Sequence, residues 1–156
     1  MPQRLIALLV AIAVAVLISM SLAAANASPS AKDDHKALQG KWERPLTSGD
    51  PDGHGASRAV KEISGNRERV TYFSDANEPV YITTADFSLE DRAPVKLYTY
   101  TNSAVEKGKS AGGDAPKGAV SYIYRVEGDL YHEAHGLLID SPAGSKPVVV
   151  TWKRAK

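Results

Sequence analysis

From Leu38 to the C-terminus, apolar residues recur with a period of two rather than 3.6. Val120, Tyr122, Tyr124 and Val126 share one face of a strand, and Val70 and Tyr72 share one face of another. Turn residues break the pattern at short intervals: Gly65-Asn66, Asp75-Ala76-Asn77 and Glu127-Gly128-Asp129. No stretch from residue 38 onward sustains a helical stripe. The spacing predicts eight short strands, within residues 40–44, 58–64, 67–74, 79–87, 94–101, 119–126, 130–138 and 147–154, rich in Val, Ile, Thr and Tyr. Eight antiparallel strands in sequence order close most economically as an up-and-down barrel, which leaves no exposed edge. The predicted class is therefore all-β. Two longer segments, 46–56 (LTSGDPDGHGA) and 102–118, contain little that could order itself and are placed at barrel rims.

The first 27 residues belong to a different pattern. Arg4 precedes an unbroken apolar run of fourteen residues, Leu5 to Ile18, and Ala25-Asn26-Ala27 offers a small-x-small cleavage site. That order predicts a secretory signal peptide over 1–27, with Ser28 as the new N-terminus and a periplasmic or extracellular destination; the rival is an uncleaved anchor, since Leu5 to Ala25 is near the length that crosses a bilayer. Residues 28–37 (SPSAKDDHKA) are polar and read as a flexible leader, followed by one domain over 38–156. Only Arg4 of the 19 basic residues lies in the signal, which leaves 18 basic against 18 acidic. That balance gives no electrostatic reason to expect nucleic acid as a partner, or a membrane once the signal is gone. The sequence contains no cysteine, so burial rather than disulfides must hold the fold, and thiol chemistry is excluded.

The segment Leu38-Gln39-Gly40-Lys41-Trp42-Glu43 resembles the G-x-W motif that opens the first strand of lipocalins, and Thr151-Trp152-Lys153-Arg154 resembles their last strand. Residues 38–156 as a whole resemble small secreted bacterial lipocalin-like domains of unknown function, through the LQGxWE opening, a YxYRVEGD hairpin and a WKR ending. The resemblance implies a calyx for a small apolar or amphiphilic ligand. It also implies that Arg154 or Lys153 packs over Trp42, with Gly40, Trp42 and Arg154 as the structural motif.

The strand tyrosines Tyr72, Tyr98, Tyr100, Tyr122 and Tyr124 are the candidate ligand-binding residues: aromatic walls with a few hydroxyls suit an amphiphile. The plainer reading is packing, since alternation fixes relative faces and not which face is inside. In Tyr131–Leu138 (YHEAHGLL), alternation puts Glu133 and His135 on one face and His132 and Ala134 on the other. The two histidines therefore cannot share a metal on a regular strand. Glu133 with His135 is the one pair suited to acid–base work, against the simpler reading of a solvent-facing polar strand. Asp50, Asp52 and His54 lack the rest of a calcium loop, and Lys107–Gly118 lacks phosphate-loop spacing. Ser64 is read as a turn residue. The sequence predicts no enzyme, no cofactor and no metal. Its leading reading is an exported barrel that binds a small apolar or amphiphilic ligand. The alternative is a self-filled barrel that meets a protein partner through its rim loops.

Overall fold

The computed structural model describes residues 30–47, 55–108, 118–138 and 146–156. The signal peptide expected over 1–27, the first leader residues and the candidate residues Asp50, Asp52 and His54 lie outside them. One helix, α1 (Ala31–Leu38), precedes eight strands: β1 (Gly40–Pro45), β2 (Arg58–Ser64), β3 (Arg67–Phe73), β4 (Pro79–Arg92), β5 (Val95–Lys107), β6 (Val120–Glu127), β7 (Leu130–His135) and β8 (Val148–Arg154). The strands pair antiparallel in sequence order and β8 returns to β1, which closes an up-and-down barrel. Two-residue turns join β2 to β3 and β6 to β7, with Ser64 opposite Arg67 and Glu127 opposite Leu130. Gly128 opens the second turn at φ 57°, the left-handed conformation that twist-matched hairpins require.

The connections sort to two ends. The tight turns after β2, β4 and β6 lie at one end, beside α1. The turn 74–78 and the strand ends at Pro45, Arg58, Lys107, Val120, His135 and Val148 lie at the other. The core is the inward parity of every strand: Trp42, Ala59, Ile63, Val70, Phe87, Tyr98, Tyr122, Tyr131, Val150 and Trp152 among them. Closure rests on a short seam, with Trp42 opposite Arg154 and Glu43 opposite Lys153. Pro45 follows, and its missing N–H cannot extend the ladder.

Three elements differ most from expectation, and β7 ends at His135 rather than Leu138. Residues 31–38, read from sequence as mostly flexible leader, form α1. Ser30 caps it, its Oγ accepting from Asp33 N–H at 3.3 Å while the Asp33 carboxylate accepts from Ser30 N–H at 3.3 Å. Tertiary anchors hold the helix down. The Lys96 ammonium donates to the buried Asp34 carboxylate at 2.5 Å, and Trp42 Nε1 donates to Leu38 O at 2.7 Å. Arg154 donates to Ala37 O and Gln39 O at 2.6 and 3.0 Å, satisfying carbonyls that a helix C-terminus leaves without intrahelical partners. The other differences are the lengths of β4 and β5, which run to Arg92 and Lys107. Their pairing shifts register between Thr84 and Asp86, and Asn102 opposite that break takes φ 50°. A bulge thus carries β5 through a residue that reads as a terminator. No helix among the described residues is long and apolar enough to cross a membrane.

Candidate functional site

Inward-facing rings build a column through the barrel. Phe87 stacks on Tyr98 with centroids 4.6 Å apart, and Tyr98 stacks on Tyr122 at 4.8 Å, each pair within 10° of parallel. Such offset stacking adds to plain area burial. Trp42, Tyr98 and Tyr131 have no exposed surface and Tyr122 has 2%. This half of the barrel is filled by its own side chains, as narrow eight-stranded barrels can be.

A charged cluster lies inside that packing. Lys61, flanked on its face by Ala59 and Ile63, places its ammonium between two carboxylates. It donates to Glu133 Oε1 and lies 3.2 Å from Glu68 Oε2. Rings of Trp152, Tyr131, Tyr98 and Tyr122 surround it, with centroids 5.1, 5.3, 5.5 and 5.8 Å away. Hydroxyls complete the shell. Tyr98 donates to Glu68 Oε2 at 2.7 Å and Tyr122 donates to Glu133 Oε1 at 3.1 Å, with the Tyr131 hydroxyl 3.0 Å from that of Tyr122. His135 Nε2 meets the remaining Glu133 oxygen, Oε2, at 3.0 Å.

These contacts fix the charge states. Burial favours neutral Lys61, but Glu133 and Glu68 outweigh it and hold the ammonium well above the usual lysine range. Burial likewise raises the Glu133 carboxyl, and Lys61, followed by the His135 hydrogen bond, holds it well below the usual carboxylate range. Burial first, and the neighbouring carboxylates second, push Tyr98, Tyr122 and Tyr131 far up. The Lys61 ammonium, the Glu133 carboxylate and three neutral phenols, with Glu68 beside them, therefore form a fixed lattice of donors and acceptors. Lys61 and Glu133 are each only 3% exposed.

Toward the loop end the packing opens. On five strands the next inward residue changes from buried to half-exposed: Val70 to Tyr72, Tyr98 to Tyr100, Tyr122 to Val120, Glu133 to His135 and Val150 to Val148. Tyr72, Tyr100, Val120, His135 and Val148 thus form a half-buried inward set on five strands, here called the cup, while Arg44 on β1 and Ala59 on β2 stay buried. Tyr122 joins this set to the filled half, its ring 4.4 Å from that of His135 and 6.3 Å from that of Tyr100.

Of the five tyrosines singled out in sequence, Tyr72 and Tyr100 lie on the cup wall. Tyr98 and Tyr122 belong to the column beneath it. Tyr124 faces the helix end, where its hydroxyl donates to Asp34 Oδ2 at 3.1 Å. The basic residue over Trp42 is Arg154, its guanidinium 4.2 Å from the ring centroid, and Lys153 points outward. Glu133 and His135 do share a face, but that face is the interior and not solvent. His132 is on the other, 3.0 Å from Thr151 Oγ1. Ser64 ends β2 at the turn. Lys61 and Glu68 were missed, because charged residues at inward parity look like solvent-facing ones when only the alternation is known. The one available signal was Lys61 between Ala59 and Ile63. Among the described residues no group of three His, Asp or Glu side chains is arranged to hold a metal. Comparison with family models, with curated proteins and with solved structures gave no match to this chain.

Proposed function

We propose that this chain is an exported, non-catalytic, lipocalin-like binding protein that holds a small amphiphile in the cup at its loop end. One observation carries the reading: the coordinated change from buried to half-exposed inward residues on β3, β5, β6, β7 and β8. That ring joins aromatic and aliphatic walls with a few polar groups, the composition of small-molecule sites. The Arg4 to Ala27 pattern supports export, and the G-x-W opening with Arg154 over Trp42 supports the lipocalin-like assignment. The closed half, with Lys61, Glu68, Glu133 and the tyrosine column, acts as the rigid floor. The proposal narrows the ligand site from five tyrosines to Tyr72 and Tyr100 with Val120, His135 and Val148.

Native mass spectrometry of residues 28–156, exported and purified without refolding, tests this reading. The expected spectrum carries a stoichiometric extra mass that disappears on denaturation. The same preparation of Val120→Trp, which fills the cup from its wall, is expected to lose that mass while staying folded. An extra mass retained by Val120→Trp moves the ligand elsewhere. A bare mass that stays bare after incubation with small aromatic amphiphiles favours the self-filled barrel with a protein partner.

A further inference from the structure

His135 is a cup residue whose imidazole meets the buried Glu133 carboxylate directly, and that tie dictates what it can show a ligand. Glu133 is an acceptor on every side. Lys61 and the Tyr122 hydroxyl donate to Oε1, and His135 Nε2 lies 3.0 Å from Oε2. A carboxylate accepts hydrogen bonds and donates none, so Nε2 must carry the ring proton. A neutral imidazole has only one, and Nδ1 is then a bare lone pair. Nδ1 has no partner among the described residues, while the side chain is 36% exposed on the wall of the cup. Its orientation is locked on one side by Glu133 and on the other by the Tyr122 ring at 4.4 Å.

We propose that His135 is the specificity-determining residue of the cup, and that its Nδ1 accepts a hydrogen bond from a neutral donor group, such as an aromatic hydroxyl, on a small apolar ligand. The chain of control runs from Lys61 through Glu133 to the imidazole: the buried ion pair fixes the tautomer, and the tautomer fixes the ligand's head group. An ether or ester of the same shape offers Nδ1 no proton and leaves two acceptors facing each other. Sites built to hydrogen-bond a substrate hydroxyl reject analogues that lack it much better than apolar pockets sense a methylene. This inference deepens the cup reading and rests on it.

Two measurements separate the inference from that reading. Long-range proton–nitrogen NMR of the 15N-labelled protein, on the alkaline plateau of the ring's own titration, reports which His135 nitrogen is protonated. The expected state is the Nε2–H tautomer, shifting toward a mixture in Glu133→Gln. A dominant Nδ1–H tautomer in the parent protein overturns the inference and leaves the cup reading intact. The second measurement is binding of 2-naphthol and of 2-methoxynaphthalene, followed by the probes' own fluorescence. The naphthol is expected to bind about five- to tenfold more tightly, the worth of one hydrogen bond. In His135→Phe, which keeps a ring against Tyr122, that ratio is expected to collapse toward one. Equal binding of both probes by the parent protein overturns the head-group inference alone. Binding of neither overturns the cup reading along with it.

Discussion

At the scale of single residues, the buried ions give the sharpest expectations. Glu133→Gln leaves the Lys61 ammonium in a dry site with one carboxylate, and breaking a buried pair in this way costs about 3–5 kcal/mol. Urea denaturation is expected to show a loss of about 3 kcal/mol for Glu133→Gln. A comparable loss is expected for Lys61→Met, which leaves Glu68 and Glu133 facing each other. The double variant is expected to lose less than the two singles combined, by at least about 1 kcal/mol, because the partners act as a unit. Strict additivity would mean that the pair is not coupled. The pH dependence follows from the same contacts. Glu133 titrates lower in the folded protein than its unfolded value of about 4.3, so its stabilisation is present above that pH and is lost as pH falls through the folded value. Lys61 titrates higher than its unfolded value of about 10.4, so its share is complete below that pH and is lost as pH rises through the folded value. The pair therefore contributes no slope between about pH 5 and pH 10. Glu133→Gln is expected to narrow the stability difference between about pH 7 and pH 3, and an unchanged difference would count against ionised Glu133. Alternation along β7 put Glu133 and His135 on one face in the sequence. That the face is interior depends on Lys61 and Glu68, which sit on other strands and reach Glu133 only after closure.

Elements differ in how much of their stability is local, and that difference decides what could be read from the sequence. The strands were legible because alternation and turn residues agree, as in Ala119–Val126 followed by Glu127-Gly128-Asp129. Helix α1 was not, since AKDDHKAL is eight residues long and its anchors lie far along the chain, at Lys96 and Arg154. Isolated helices of that length are marginal in water. The one local signal was Ser30 with Asp33, a capping box with aspartate at its third helical position. Arg154→Lys keeps the charge but removes the planar group that stacks on Trp42 and reaches two carbonyls at once. Its expected cost is about 1–2 kcal/mol, with α1 amides losing hydrogen-exchange protection before those of β2 and β3. Uniform loss across the barrel would show that Arg154 does not act through the helix. At the loop end of β5, Gly108 has φ 122°, and a Cβ there would come within 2.1 Å of the Tyr81 ring. Gly128 has open space at the same test. Thermal melts are expected to show Gly108→Ala costing clearly more than Gly128→Ala, which carries only the strain of positive φ, about 1–2 kcal/mol. The reverse order would contradict the close packing of Tyr81 against β5.

For the whole molecule, a closed eight-stranded barrel followed from the sequence because eight alternating segments with short links leave few other ways to bury one face. How far the barrel is filled did not follow. Filling depends on which large side chains meet across strands, such as Phe87, Tyr98 and Tyr122 in one stack, and on where charges neutralise one another. The result is a molecule divided along its axis. A plugged half carries α1, the aromatic column and the ion cluster, and toward the loop end the inward residues of five strands become half-buried. That division is the central claim, and a ligand titration followed by NMR tests it most directly. With 2-naphthol as the probe, side-chain shifts are expected at Tyr72, Tyr100, Val120, His135 and Val148, with none at Tyr124 or in α1. Shifts centred on the helix end, or spread through Tyr98 and Trp42 in the column, would contradict that division.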